Sequence, residues 1–208
     1  MIMQIKTFVA VDFPENCYAA KCNDGIFLVD PGEYTPELDY YVKQNQSAIK
    51  YILLTHMHFD HIRATADIKK LCPDAKIVIH SLDADGLKSP QKNLAFYFGF
   101  DTKNVVPDIL CDDLSVIEMG ETKIKVLHTP GHTEGGVCYI VDDVIFSGDT
   151  LFEGSCGRTD FPGGNGPDLA NSLKKINNLK GDYKVFSGHG NPTTLNNERK
   201  FNPYMRSL

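Results

Sequence analysis

The run Tyr51 Ile52 Leu53 Leu54 Thr55 His56 Met57 His58 Phe59 Asp60 His61 restricts this chain more than any other stretch. Its almost wholly apolar start suits a strand buried on both faces, a strand of the sheet interior. Past Thr55 come four ligand-type side chains within six residues: His56, His58, Asp60 and His61. Crowding such groups beside a buried strand is expensive unless something compensates them, and a cation does so. The fold must therefore end a core strand in a polar loop, with further polar groups nearby.

The rest of the chain supplies a frame for that loop. Strand patterns run over Gln4 to Ala10, Cys17 to Cys22 and Ile26 to Asp30, the last two joined by an Asn23 Asp24 Gly25 turn. Thr35 and Pro36 read as the cap and first residue of a helix with Leu38, Tyr41 and Val42 on one face. A second helix is expected after the histidine loop, carried by Ala64, Ile68, Leu71 and Cys72 and stopped by Pro73. Lys76 to Ile79 reads as a strand, and a weaker helical stretch runs from Ser89 through Phe96. In the second half, strands are expected at Leu114 to Ile117, Lys123 to Val126, Val137 to Val141, Val144 to Phe146 and Lys184 to Phe186. A helix with Pro167 near its start buries Leu169, Leu173, Ile176 and Leu179 and ends before Gly181. Each half is thus strands followed by helices, and two sheets face to face with helices outside would bury these patterns. At 208 residues, with no linker or repeat, a single domain over 1–208 is expected.

Three further segments put ligand types where strands give way to loops: Thr129 to His132, Ser147 to Asp149, and Ser187 to His189. Alternation lets His56 and His58 point the same way, so both can serve one metal, with His132 as a third imidazole. Asp60 and His61 follow at a turn and can serve a second metal, completed by His189, while Asp149 can bridge the two through its oxygens. This His/Asp chemistry suits zinc first, with iron or manganese as alternatives, and does not suit calcium. His80 and His128 are read as ordinary histidines, His128 with the option of supporting a ligand from behind.

Bulk properties bear on partners and compartment. A formal net charge of −6 and the lack of any Lys/Arg cluster argue against nucleic acid, leaving a small molecule as the expected partner of a monomer or homodimer. No apolar run has membrane-spanning length, and the first ten residues read as a strand without the regions of a secretory signal, so a cytoplasmic protein is expected. The six scattered cysteines form no Cys-x-x-Cys pair and are read as reduced thiols.

Thr55 to His61, Gly131 His132, Gly148 Asp149 and Gly188 His189 Gly190, in this order over essentially the whole chain, resemble the metallo-β-lactamase superfamily. The resemblance implies an α/β fold, an αββα sandwich of two mixed β-sheets flanked by helices. It also implies His56, His58 and His132 at the first metal, Asp60, His61 and His189 at the second, and Asp149 between them. Asp30, in Val29 Asp30 Pro31 Gly32, resembles the family's buried aspartate, which supports the metals without ligating them. One departure is that Arg63 and Ala64 stand where the family usually has two glycines, which puts Arg63 either at the pocket mouth or on the solvated surface.

Two metals roughly 3.5–4 Å apart would share a water, lower its pKa and supply a bridging hydroxide, which points to hydrolysis with Asp60 and Asp149 as catalytic residues. Within the superfamily, Gly148 to Phe152 and Gly154 to Gly164 are similar to short type II glyoxalases, the hydroxyacylglutathione hydrolase-like proteins, which implies S-2-hydroxyacyl thioesters as substrates. Larger glyoxalases carry a helical C-terminal domain that helps to hold glutathione, and nothing after Tyr204 corresponds to it, so the thiol carrier is left open. The glycine-rich segment 154–166 is expected to line the pocket, with Arg158, Cys156 and Asp160 as substrate-binding residues and Arg158 offering a fork to a carboxylate. The alternative is that Arg158 and Asp160 pair and stiffen the loop. Gly157 Arg158 Thr159 Asp160 Phe161 is also similar to persulfide dioxygenases, which use a single iron at the counterparts of His56, His132 and Asp149. A nuclease of the same superfamily is a third reading, disfavoured by the acidic balance.

Overall fold

The computed structural model describes residues 3–206. Its first half forms one six-stranded sheet. β1 (Gln4–Val9), β2 (Asn16–Cys22) and β3 (Gly25–Val29) are antiparallel, and β4 (Ile49–Leu53), β5 (Lys76–His80) and β6 (Ile109–Cys111) follow parallel to β3. The second half supplies β7 (Val116–Met119), β8 (Thr122–His128), β9 (Val137–Val141) and β10 (Val144–Gly148). A small hairpin of β11 (Leu151–Phe152) and β12 (Ser155–Cys156) comes next, then β13 (Lys184–Ser187) and β14 (Thr193–Thr194). The second sheet runs β14-β13-β10-β9-β8-β7, with only β10 and β13 parallel.

Side-chain alternation builds the layers. Along β3, Phe27 and Val29 face the second sheet and meet Val126, Tyr139 and Phe146, while Ile26 and Leu28 face outward. That outer face is covered by α1 (Pro36–Asn45), through Leu38 and Val42, and by a later helix through Ile68. On the far side, Ile140 and Ile145 pack against Leu173 and Ile176 of the helix Gly166–Asn177 and against Leu195 of the last helix, Leu195–Phe201. The result is helices, sheet, sheet, helices, as the patterns anticipate. Two of the helix starts work as the sequence suggests. Thr35 Oγ1 accepts from Leu38 N at 3.2 Å, and Asn165 Oδ1 accepts from Asp168 N at 3.1 Å ahead of Pro167.

Several expectations need correction. The helix following the histidine loop begins within it, as α2 (Phe59–Ile62), and resumes as α3 (Thr65–Leu71); between them Ala64 N donates to Pro31 O. The stretch from Ser89 through Phe96 is mostly turn. A 3-10 helix occupies Ser81–Lys88, and the only α-helix nearby is α4 (Ala95–Phe98). Asn93 is the reason: its Nδ2 donates to Gly86 O and its Oδ1 accepts from Ala95 N, while Leu94 takes a left-handed φ of 70°. Leu114 likewise has positive φ and belongs to a turn, so the strand expected there starts at Val116. Among the described residues no helix is long and apolar enough to cross a membrane, and all six cysteines are free.

Candidate metal centre

Every ligand-type segment leaves a strand at the same rim. β4 delivers His56 and His58, with Asp60 and His61 in α2; β8, β10 and β13 of the other sheet deliver His132, Asp149 and His189. The seven side chains converge. His56, His58 and His132 present ligand atoms within 4.8 Å of one another, and so do Asp60, His61 and His189. Asp149 lies between the sets: Oδ1 is 3.4 Å from His61 Nε2, while Oδ2 is 3.4 Å from His132 Nε2 and 3.6 Å from His189 Nε2. The close approach depends on Gly188, where a Cβ would come within 2.3 Å of Asp149 Oδ1 and 2.5 Å of His61 Cε1.

Four of the five rings, all but His58, are held from behind. Thr55 donates to Asp30 from its amide (2.7 Å) and its hydroxyl (2.6 Å), and His61 Nδ1 donates to the same Asp30 Oδ2 at 3.0 Å. With the one hydroxyl proton of Thr55 committed, the 3.0 Å contact from His56 Nδ1 requires that ring to donate. Asp30 thereby sets the tautomer of an imidazole in each ligand set and turns both Nε2 atoms inward. With its acceptors engaged, Asp30 serves as a support although it too lies near His56 and His61. Its own backbone is left-handed, at φ 48°. His132 Nδ1 donates to Arg158 O at 2.8 Å, and His189 Nδ1 donates to Pro14 O.

The donor set fits divalent cations. Nε2 of His56, His58 and His61 and Oδ1 of Asp149 are buried without a hydrogen-bond partner, and His58 Nδ1 faces His132 Nε2 at 2.9 Å. Burial, and then the neighbouring His132, pushes His58 down to about 3; burial, followed by His61, keeps His56 well below its ordinary value. These imidazoles are therefore neutral and offer lone pairs. Burial would lower His61 and raise Asp149, but the surrounding carboxylates hold His61 well above its usual range, and His61 itself holds Asp149 well below its own.

Some supports carry no sequence signal. Asp83 is fully buried and accepts from Met57 N (3.0 Å), Thr133 Oγ1 (2.8 Å) and Gly135 N (2.7 Å), joining the loop of His56 and His58 to that of His132. Glu15, also buried, lies 3.9 Å from His61 Nδ1 with neither carboxylate oxygen hydrogen-bonded, and burial raises its carboxyl well above the ordinary range. His128 stands apart from the ligands, stacked on His80 at 4.1 Å.

Over the ligands opens a cavity of about 400 Å³ whose lining includes Phe13, Phe98, Phe152, Cys156, Arg158 and Phe161. Gly154 N donates to Glu198 Oε2 at 2.8 Å, which braces the hairpin wall against the last helix. Arg63 reaches neither the pocket mouth nor open solvent. Its Nε donates to Gly32 O and its guanidinium lies 4.4 Å from the centre of Phe100, which stacks on Phe59. Arg158 forms a two-pronged pair with Asp160 (2.6 and 2.7 Å), lies 3.9 Å over Phe161 and pulls the Asp160 carboxyl down to about 2. Both partners are exposed, where such pairs add little stability. Arg158→Ala is therefore expected to move the melting temperature by no more than a few degrees while raising KM, since Phe161 loses the cation that fixes it. A large drop in melting temperature with KM unchanged would mark the pair as structural instead.

An αββα sandwich with a buried His/Asp cluster at one rim defines a metal-binding protein of the metallo-hydrolase class. The chain belongs to the metallo-beta-lactamase superfamily, whose sequence profile matches residues 10–189. It is 29% identical to the hydroxyacylglutathione hydrolase GloC of Haemophilus influenzae, over 99% of both chains. Among solved structures it resembles the BLEG-1 B3 metallo-beta-lactamase, with TM-score 0.90 and 32% identity over 97% of this chain and 99% of that one. It also resembles TTHA1623 in a di-iron-bound form, with TM-score 0.84 and 32% identity over 96% and 99%.

Proposed function

We propose that the protein hydrolyses thioesters, S-2-hydroxyacyl thiol conjugates foremost, with two divalent ions held by His56, His58 and His132 and by Asp60, His61 and His189. The observation that carries this reading is the completeness of the second set, with Asp149 placed between the two. When bound, such ions lower the pKa of a shared water toward neutrality and polarise an acyl carbonyl. Zinc is the first choice, with iron or manganese compatible with the same ligands.

The protein's own groups do the rest. Asp30 and Thr55 keep His56 and His61 oriented, so no ring has to turn as the reaction proceeds. Asp60 Oδ2 is 3.3 Å from His189 Nε2 and, with Asp149, can hold the attacking water by its hydrogens. With substrate seated, the aromatic walls would help to keep bulk water from the reacting groups. A thiolate leaves readily at neutral pH because its conjugate acid has a pKa of about 8.5, so no strong proton donor is needed. The GloC likeness supports this substrate class. A small-molecule partner, no nucleic-acid role and a reducing cytoplasm, in keeping with six free thiols, complete the proposal.

The test is elemental analysis of the purified protein, with thioester hydrolysis and persulfide-dependent oxygen uptake assayed side by side. Two metals per chain and hydrolysis without oxygen uptake are expected. A single iron with oxygen consumption, unaffected by His189→Ala, would replace this reading with a persulfide dioxygenase.

A further inference from the structure

The cavity wall facing the ligands is a continuous arc of rings that joins the two ligand sets. From His189 the contacts run to Phe13 (6.4 Å between ring centres), then to Phe98 (5.7 Å), to Phe161 (6.1 Å) and back to His58 (6.1 Å). Phe59 closes the arc from beneath, 5.4 Å from Phe13 and 5.3 Å from Phe98. Apart from the metal centre, the charged side chain lining the cavity among the described residues is Arg158, whose Nε and Nη2 both donate to Asp160. The polar side-chain groups offered away from the ligands are the remaining N–H groups of Arg158, whose charge Asp160 already balances, and those of Ser155 and Cys156, in a wall otherwise apolar. A ring would gain edge and face contacts with Phe98 and Phe161 as well as apolar burial.

We infer that the arc selects thioesters whose acyl group bears an aromatic ring, seated against Phe13, Phe98 and Phe161 while the carbonyl lies at the ligands. The inference rests on the thioesterase reading and adds to it which acyl groups are taken. The hydroxyl of a 2-hydroxyacyl group sits next to the carbonyl, within reach of the polar floor, and its third substituent points into the arc. A phenyl ring fills that space where a methyl group leaves it open. Phe98 is substantially exposed in the free protein, so a bound ring removes apolar surface on both sides from water.

The test compares S-mandeloyl and S-lactoyl thioesters of N-acetylcysteamine, a small neutral thiol, on the metal-loaded protein. These substrates differ only by phenyl against methyl. Burial of a ring predicts kcat/KM at least about tenfold higher for the mandeloyl ester. In Phe98→Ala and Phe161→Ala, each checked for a normal melting transition, that ratio should fall toward one. Calorimetry with the free acids supplies a readout independent of turnover, and mandelate should bind at least about tenfold tighter than lactate. Equal rates on both esters, or a lactoyl preference, overturn the inference and leave the thioesterase reading standing. Failure to hydrolyse either ester sinks the thioesterase reading, and mandelate binding no tighter than lactate then sinks the arc's selectivity as well.

Discussion

Asp149→Ala is expected to abolish hydrolysis, with kcat/KM lower by about a thousandfold or more, the several kcal/mol that activation of a nucleophile by metal supplies. The carboxylate sits 3.4 Å from ligand atoms of both sets, and no other acidic side chain at the site reaches His132 and His61 together. Its loss removes a carboxylate that faces both sets, although Asp60 still faces His61 and His189, and metal content should fall along with activity. Asp149→Asn, which keeps the shape, should retain more metal than the alanine variant and still be slow. Elemental analysis beside a thioester assay checks both, and an Asp149→Ala protein with two metals and unchanged turnover would overturn the proposed dinuclear arrangement.

The second large effect falls on stability. Asp83→Ala strands three donors, Met57 N, Thr133 Oγ1 and Gly135 N, in a buried region. Each buried donor left unpaired costs about 1–3 kcal/mol, and because the three share one acceptor group their costs do not simply add. A total of about 3–5 kcal/mol is expected. In a chain of this length that lowers the melting temperature by roughly 10 °C. Met57 lies between His56 and His58, and Thr133 follows His132, so affinity for the first metal should fall as well. Asp83→Asn retains one acceptor oxygen and should lie between. Differential scanning calorimetry and a metal titration measure the two effects. Wild-type melting and metal affinity in the alanine variant would show that Asp83 is not the tie between these loops.

How much of this was legible beforehand depended on how far each feature repeats. The sandwich could be read because Phe27, Leu28 and Val29 alternate against a matching pattern in β8 to β10, and because α1 and the helix from Gly166 carry apolar faces between recognisable caps. The seven ligand-type residues stood out since imidazoles and carboxylates at the ends of buried strands need an explanation. Elements of two or three residues, such as β6, β11, β12 and β14, are too short to display a period. The supports behind the ligands escaped for a different reason. Pro14 and Arg158 act on His189 and His132 through backbone carbonyls, which any residue possesses, and Asp83 is one of two acids, with Asp85, in a short 3-10 helix that nothing in the sequence marks out. Phe13 and Phe98 enter the pocket from stretches without periodicity, so the aromatic wall emerged only with the folded chain.

The distribution of ligands over the two sheets has a consequence for assembly. Neither half of the chain owns a complete coordination sphere: the imidazole trio lacks His132 until β8 is in place, and the Asp60–His61 pair lacks His189 until β13 is. Completing either ligand set is thus a logical AND over both halves, and a nascent chain that has folded only its first sheet would hold an ion by a partial set. Because the full ligand sets exist only in the docked sandwich, any ions they hold would add their free energy of binding to the adhesion between the sheets. Under chelation, exchange of the amides at the sheet-to-sheet seam, Asn16 N to Gly188 O and Val137 N to Thr55 O, should quicken before that of amides inside either sheet.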